Sequence, residues 1–159
     1  MEKIDVHRVK QRKIPLLFAP ERFDDLEDYL PWCEVYELDQ EAELELQSEV
    51  RLVLGGRGLG VALPTQKSYF YVSSIDIQAR IKAGRRGELA RACLGNKDSM
   101  LVLDAFAGFG VDGLTLAGLG ADVTLVERNL VVWLVLRSIA CGHPRVAIHY
   151  ADSLSLIHI

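Results

Sequence analysis

Leu101-Val102-Leu103-Asp104-Ala105-Phe106-Ala107-Gly108-Phe109-Gly110 is the stretch that decides the fold. An apolar run with strand character ends in a carboxylate, small residues follow, and helical spacing begins at Val111. Gly108 and Gly110 carry no side chain, so a ligand can approach the main chain closely there. A helix starting at Val111 adds first-turn N–H groups that have no partner within the helix. Outward from this turn the rhythm is regular. Residues 100–105 read as a strand, 111–119 as a helix, 122–127 as a strand, 130–141 as a helix and 145–150 as a strand. Short strands alternating with helices predict right-handed crossovers and a parallel sheet covered on both faces. The fold class is α/β, the first half of a doubly wound, Rossmann-like sheet.

Gly108, Gly110 and Gly113 satisfy G-x-G-x-x-G, which by itself predicts a dinucleotide and an NAD-binding oxidoreductase. Two features favour S-adenosylmethionine. Asp104 at the strand end can hold the cationic amino group of a methionine moiety and would repel a pyrophosphate. Asp112 occupies the first helical turn, where a pyrophosphate would rest, although carboxylates also start helices well. Glu127, at the end of the second strand, is placed to accept both ribose hydroxyls, a contact the two cofactors share. Asp152, after the third strand, can receive the adenine amino group. Carboxylates at successive strand ends carry more weight than the glycines alone; the bland alternative is that they are turn residues capping helices.

Upstream, Leu44, Leu46, Val50, Leu52 and Leu54 follow period two, Gly55-Gly56-Arg57-Gly58 turns the chain, and Leu59, Val61 and Leu63 alternate again. After Pro64-Thr65-Gln66-Lys67, Tyr69-Phe70-Tyr71-Val72 reads as a third strand, so a small antiparallel meander is expected. Phe23, Leu26 and Leu30 have helical spacing that Pro31 would stop. Residues 1–74 thus form a β-rich N-terminal region, 75–98 a basic helical linker with a polar hinge at 95–99, and 99–153 the cofactor domain. Arg80, Lys82, Arg85, Arg86 and Arg91 cluster in the linker. They fit either a phosphate-gripping element or a solvated helix face.

Half of the 159 residues are hydrophobic and a quarter are charged, with a formal net charge of -4. That balance supports a packed core and argues against a domain-wide basic footprint for nucleic acid. Cys33, Cys93 and Cys141 are too scattered for a disulfide framework. Met1-Glu2-Lys3-Ile4-Asp5-Val6-His7 lacks a signal-peptide pattern, and no run approaches the about 18 apolar residues of a membrane span. A cytoplasmic protein without membrane partner is expected. His7, His143 and His149 are too dispersed for a zinc site, so no metal is expected.

The block Asp104-Ala105-Phe106-Ala107-Gly108-Phe109-Gly110-Val111-Asp112 resembles the D-A-T-A-G-L-G-R-D signature of the RsmJ family, methyltransferases that act on a guanine N2 amine in small-subunit (16S) ribosomal RNA. Glu127-Arg128-Asn129 resembles that family's E-R-N, and Ile148-His149-Tyr150-Ala151-Asp152-Ser153-Leu154 its I-H-A-S-S-L. Ala79-Arg80-Ile81-Lys82-Ala83-Gly84-Arg85-Arg86-Gly87-Glu88 is similar, with a gap, to its A-H-R-R-K-F-G-G-G-R-G-E. The resemblance runs from about 43 to 154. It implies S-adenosylmethionine as cofactor, contacts at Val111, Asp112, Glu127, Arg128, Asp152 and Ser153, and ribosomal RNA near Arg80, Lys82, Arg85 and Arg86. Phe106 stands where the family has threonine, Val111 where it has arginine and Asp152 where it has serine, which leaves a methyltransferase for another substrate as the alternative. The family's catalytic D-P-M-F-P motif, on a fourth strand, has no counterpart in this sequence. A fragment inactive by itself is therefore expected. Leu154-Ser155-Leu156-Ile157-His158-Ile159 matches the translation of a transposon-end adapter, so 154–159 is expected to be a non-native tail.

Overall fold

The computed structural model describes residues 13–72, 74–95 and 100–156. The N-terminal stretch 1–12, most of the expected hinge (96–99) and the last residues of the expected tail (157–159) lie outside them.

Two sheets sandwich one helix. The first has the order β2-β1-β3-β4, with β1 at Ile14–Phe18, β2 at Cys33–Glu37, β3 at Arg51–Gly55 and β4 at Gly58–Ala62. β1 runs parallel to both β2 and β3, and only β3–β4 is an antiparallel hairpin. Pro15 is tolerated in β1 because pairing with β3 begins at Leu16, leaving the proline with one neighbouring strand. Gly56-Arg57 form the two-residue hairpin loop, closed by Gly55 opposite Gly58.

The expected antiparallel meander is therefore corrected to a mixed sheet. Its supposed first strand, around Leu44 and Leu46, is helical: α1 spans Gln40–Glu45 and a 3-10 turn follows at Leu46–Ser48. Asp39 Oδ1 accepts from the Ala42 N–H at 2.8 Å and caps α1. The Gln-Glu-Ala-Glu-Leu-Glu run of α1 favours helix, and local propensity overrode a short period-two pattern. The supposed third strand contributes a single bridge, Val61 opposite Phe70. The helical spacing after Arg22 appears as a 3-10 segment, Pro20–Asp28.

The basic segment folds as α2 (Ser74–Ala83), a 3-10 turn at Gly84–Arg86 and α3 (Glu88–Cys93). The second sheet then follows the expected rhythm: β5 (Leu101–Asp104), α4 (Val111–Gly118), β6 (Asp122–Glu127), α5 (Leu130–Ala140), β7 (Val146–Tyr150) and the short α6 (Ser153–Leu156). Its order is β5-β6-β7, all parallel.

Both crossovers step in the same direction, so their helices share one face. Val102, Val123, Leu125, Val146 and Ile148 pack there with Leu114, Leu116, Leu136 and Ala140. The expectation of two covered faces is corrected here. On the other face Leu101 is 85% exposed and Leu103 61%, beside Thr124 and Ala147. Among the described residues nothing covers them.

α5 explains how the sheets join. Its sequence Leu-Val-Val-Trp-Leu-Val-Leu-Arg-Ser-Ile-Ala is apolar nearly all round, the pattern of a helix buried between layers. Leu136 and Ala140 enter the core of the second sheet. Trp133, Leu134 and Val135 enter that of the first, against Leu16, Leu52, Leu54, Leu59 and Val61. Arg137 fastens the 3-10 segment to the same helix, with Nη2 at 2.6 Å from Asp28 Oδ1 and Nη1 donating to Asp28 O at 3.0 Å.

Candidate functional site at the strand ends

The carboxyl ends of β5, β6 and β7 point to one edge, where open α/β sheets bind ligands. The turn from Ala105 to Gly110 leads from β5 into α4. Ala107 N–H donates to Val126 O at 3.0 Å and Gly110 N–H to Ala107 O at 2.7 Å, which folds the turn back over the end of β6.

Each glycine of the turn has a different physical reason. Gly110 has φ 74, and a Cβ there would overlap the Leu136 Cδ1 methyl, so glycine lets α5 approach this closely without a shift of Leu136. Gly113 faces Leu125 in the same way and lets α4 settle on β6. Gly108 has φ 53, yet among the described residues a Cβ would meet nothing within 4 Å. Its requirement is conformational, and the space beside it is open to a ligand.

Glu127 binds this turn. Its Oε2 accepts from the Gly108 N–H at 3.0 Å and its Oε1 from the Asn129 N–H at 2.6 Å. A carboxylate has about four lone-pair sites, so capacity remains for two hydroxyl donors. Asp104 accepts from the Phe106 N–H at 3.4 Å, and its Oδ2 lies 3.4 Å from where a Gly113 Cβ would stand. Burial raises the Asp104 pKa above its ordinary value of 3.8; the Phe106 N–H lowers it, and the charges of Asp112 and Glu127 raise it. An acidic rim of this kind is relieved by a cation. Gly110 caps α4 without a side-chain hydrogen bond, so the first-turn N–H groups of that helix are not taken by a capping side chain.

Asp112 forms an ion pair with Arg80, Nη1 to Oδ1 at 2.6 Å. Val111 is half-buried against the core and Ala105 half-buried in the turn. Asp152 Oδ1 accepts from the Leu154 N–H at 3.0 Å, and its Oδ2 lies 3.8 Å from Arg128 Nη1. Ser153 is buried at the start of α6. Asp104, Glu127 and the glycine turn are thus brought together, with Asp112 one helical turn away, while Asp152 and Arg128 pair at the end of β7. In the basic segment Arg85 Nη2 donates to Leu119 O at 3.5 Å, and Lys82, Arg86 and Arg91 are exposed.

Two features escaped the sequence reading. Asn129 caps α5, its Oδ1 accepting from the N–H groups of Val131 at 3.0 Å and Val132 at 3.3 Å. Its position just before an apolar helical run was the available signal. The Arg80–Asp112 pair had none, because the partners are distant in sequence. Around the turn, Phe106 is 69% exposed, and the Phe109 ring centre lies 5.2 Å from that of Phe70.

The family described as "Putative SAM-dependent methyltransferase" matches residues 35–155. The chain belongs to this family. Ribosomal RNA small subunit methyltransferase J of Thioalkalivibrio sulfidiphilus is 44% identical over 119 residues, covering 68% of this chain and 45% of the relative. The protein of the same name from Pasteurella multocida is 34% identical over 131 residues, covering 81% of this chain and 46% of the relative. That of Alkalilimnicola ehrlichii is 42% identical over 79 residues, 45% of this chain and 30% of the relative. The chain spans less than half the length of these relatives. Among solved structures, the crystal structure of a SAM-dependent methyltransferase from Neisseria gonorrhoeae superposes with a TM-score of 0.67 at 19% identity, covering 91% of this chain and 62% of the other. At that identity the likeness concerns the fold, which is the Rossmann-like α/β class. The family's cofactor is S-adenosylmethionine, and the donor set fits it: anionic side chains for an ammonium and for hydroxyls, and an open glycine for close approach.

Among the described residues no helix is long and apolar enough to cross a membrane, and no group of three or more His, Cys, Asp or Glu side chains is arranged to hold a metal ion.

Proposed function

We propose that this chain is the cofactor-binding part of an S-adenosylmethionine-dependent methyltransferase that modifies guanine N2 in small-subunit ribosomal RNA. The observation that carries the reading is Glu127 closing on the Gly108 N–H at 3.0 Å while Asp104, its pKa raised, faces the same turn. Bound there, S-adenosylmethionine supplies an electrophilic methyl group on a sulfonium. In this reading Asp104 holds the methionine ammonium, directly or through water. Glu127 accepts the ribose hydroxyls with its remaining lone pairs, and Asp152 with Ser153 borders the adenine. Gly108, Ala105 and the first turn of α4 at Val111 and Asp112 form the wall, and Arg128 steadies Asp152.

The substrate assignment is supported by the relatives' printed names and by the resemblance of residues 79–88. Exposed Lys82 and Arg86 offer the phosphate contacts, with Arg85 beside them. Arg80, paired to Asp112, joins the basic segment to the cofactor turn. A guanine N2 amine is a weak nucleophile, so catalysis rests on aligning it with the methyl carbon, and the base must leave its stack to reach the strand ends. Because this sequence has no D-P-M-F-P motif, the 159-residue chain is expected to bind cofactor without turning over.

The test is a chimaera in which this chain replaces the matching part of the Pasteurella multocida relative, followed by nucleoside mass spectrometry of small-subunit ribosomal RNA. N2-methylguanosine is the expected product. A different methylated nucleoside, or none from a chimaera that still binds S-adenosylmethionine, refutes the substrate assignment.

A further inference from the structure

The first sheet has a second working face. Leu52 and Leu54 point toward α5, whereas Arg51 and Val53 point the other way, toward α1 and Tyr69. On that side a cavity of about 290 Å³ is lined by Gln40 and Glu43 of α1, Gln47 after it, Gln66 and Lys67 from the loop after β4, and Arg51.

Arg51 is 3% exposed. Its Nη2 donates to Gln66 O at 2.7 Å, and its guanidinium lies 5.5 Å from the centre of the Tyr69 ring. Its Nε and Nη1 are buried and make no well-directed hydrogen bond among the described residues, although the Tyr69 hydroxyl, which donates to Glu43 Oε1 at 3.2 Å, lies close enough to interact with the guanidinium. Guanidinium stays charged in proteins, and burying its donors without well-directed acceptors is costly. A second anomaly adjoins it. Thr65 has φ 65, a left-handed conformation that β-branched residues rarely adopt, and its N–H donates to Gln47 O at 2.8 Å. That strained turn delivers the Gln66 carbonyl to Arg51. A buried cation with donors to spare, lining a cavity, is the mark of a ligand site.

We propose that this cavity binds a phosphorylated sugar, of the kind carried by a nucleotide. Arg51, with exposed Lys67 at the edge, takes the phosphate. Glu43 and the amides of Gln40 and Gln47 take hydroxyl groups. Two cations against one carboxylate leave the lining net positive. The volume is roughly ten times a water molecule's share of the liquid, so the site holds more than a bare ion. It lies on the opposite side of the first sheet from α5 and stands independently of the methyl-transfer reading.

The test is isothermal titration and thermal melting of the 159-residue chain with ribose 5-phosphate and with inorganic phosphate, against sodium chloride of equal ionic strength. Short oligoribonucleotides with and without a 5′-phosphate distinguish a free sugar phosphate from one borne on RNA. Ribose 5-phosphate is expected to raise the melting temperature more than inorganic phosphate does. Arg51→Met keeps the buried stem and removes the charge. It is expected to lower affinity by about tenfold or more, the worth of a charge-assisted hydrogen bond. Lys67→Ala is expected to weaken binding without changing the ligand-free melt, and Asp104→Asn to leave binding unchanged. A wild-type chain that responds to the phosphates no more than to chloride overturns the proposal, as does wild-type affinity in Arg51→Met. If Arg51→Met does not fold, the wild-type and Lys67→Ala titrations decide.

Discussion

Substituting alanine at Gly108 and at Gly110 separates ligand space from packing within one turn. Both residues have positive φ, 53 and 74, so alanine costs about 1–2 kcal/mol at either position from left-handed backbone alone. At Gly108 nothing further is added, because a Cβ meets nothing within 4 Å among the described residues. At Gly110 the new methyl overlaps Leu136, which is fully buried, and overpacking adds about 1–3 kcal/mol. Gly110→Ala should therefore lose about 2–5 kcal/mol in urea denaturation, a large share of the about 5–15 kcal/mol that holds a domain folded. Gly108→Ala should lose about 1–2 kcal/mol and remain folded. Titration with S-adenosylmethionine should then give the converse order among the folded molecules. Gly108→Ala places a methyl in the space assigned to the ligand and should bind weakly or not at all. Equal destabilisation by the two substitutions would refute the packing argument, and full affinity in Gly108→Ala would refute the assignment of that space to cofactor.

Other outcomes follow from the same geometry. Asp104 keeps its proton longer in the folded chain than in the unfolded one, so its contribution to stability should fall as pH rises through the raised pKa. Cofactor affinity should climb over the same range and level off above it, because an ammonium needs the ionised carboxylate; calorimetry at stepped pH reads both, and an affinity that falls with rising pH contradicts the role. Glu127→Gln replaces one of its two accepting oxygens by a donor, so amide exchange at Gly108 or Asn129 should quicken and cofactor should bind more weakly. Trp133→Ala removes a side chain packed between the two sheets and should cost about 3–5 kcal/mol; its denaturation should stay a single transition, and two separate transitions would show that α5 does not unite the layers. Replacing Arg85 and Arg86 by alanine should weaken RNA binding and flatten its salt dependence by about one to two phosphate contacts, measured by filter binding across salt.

What the sequence made legible was local. The strand ends at Asp104 and Glu127 and the helix at Val111 could be read because an apolar strand, a glycine turn and a helix start follow one another without interruption. The four-stranded sheet was not legible in the same way. β1 and β2 are short, β1 contains Pro15, and their parallel pairing joins segments with no hairpin between them. Leu44 and Leu46 mimicked a strand because two alternating leucines fit either period, and the Asp39 cap decided the matter. The bare face of the second sheet follows from strand order, which no local pattern encodes. At the site, the carboxylates were visible as residue types at strand ends. The Glu127–Gly108 hydrogen bond and the Arg80–Asp112 pair were not, since each depends on how separate turns meet in space.

The central claim is that a cationic methionine group sits against Asp104 in this turn. Isothermal titration of the chain and of Asp104→Asn with S-adenosylmethionine and with NAD tests it most directly. Binding of S-adenosylmethionine alone is expected, lost or sharply weakened in Asp104→Asn. Equal binding of NAD, or undiminished S-adenosylmethionine affinity in the asparagine variant, would contradict it.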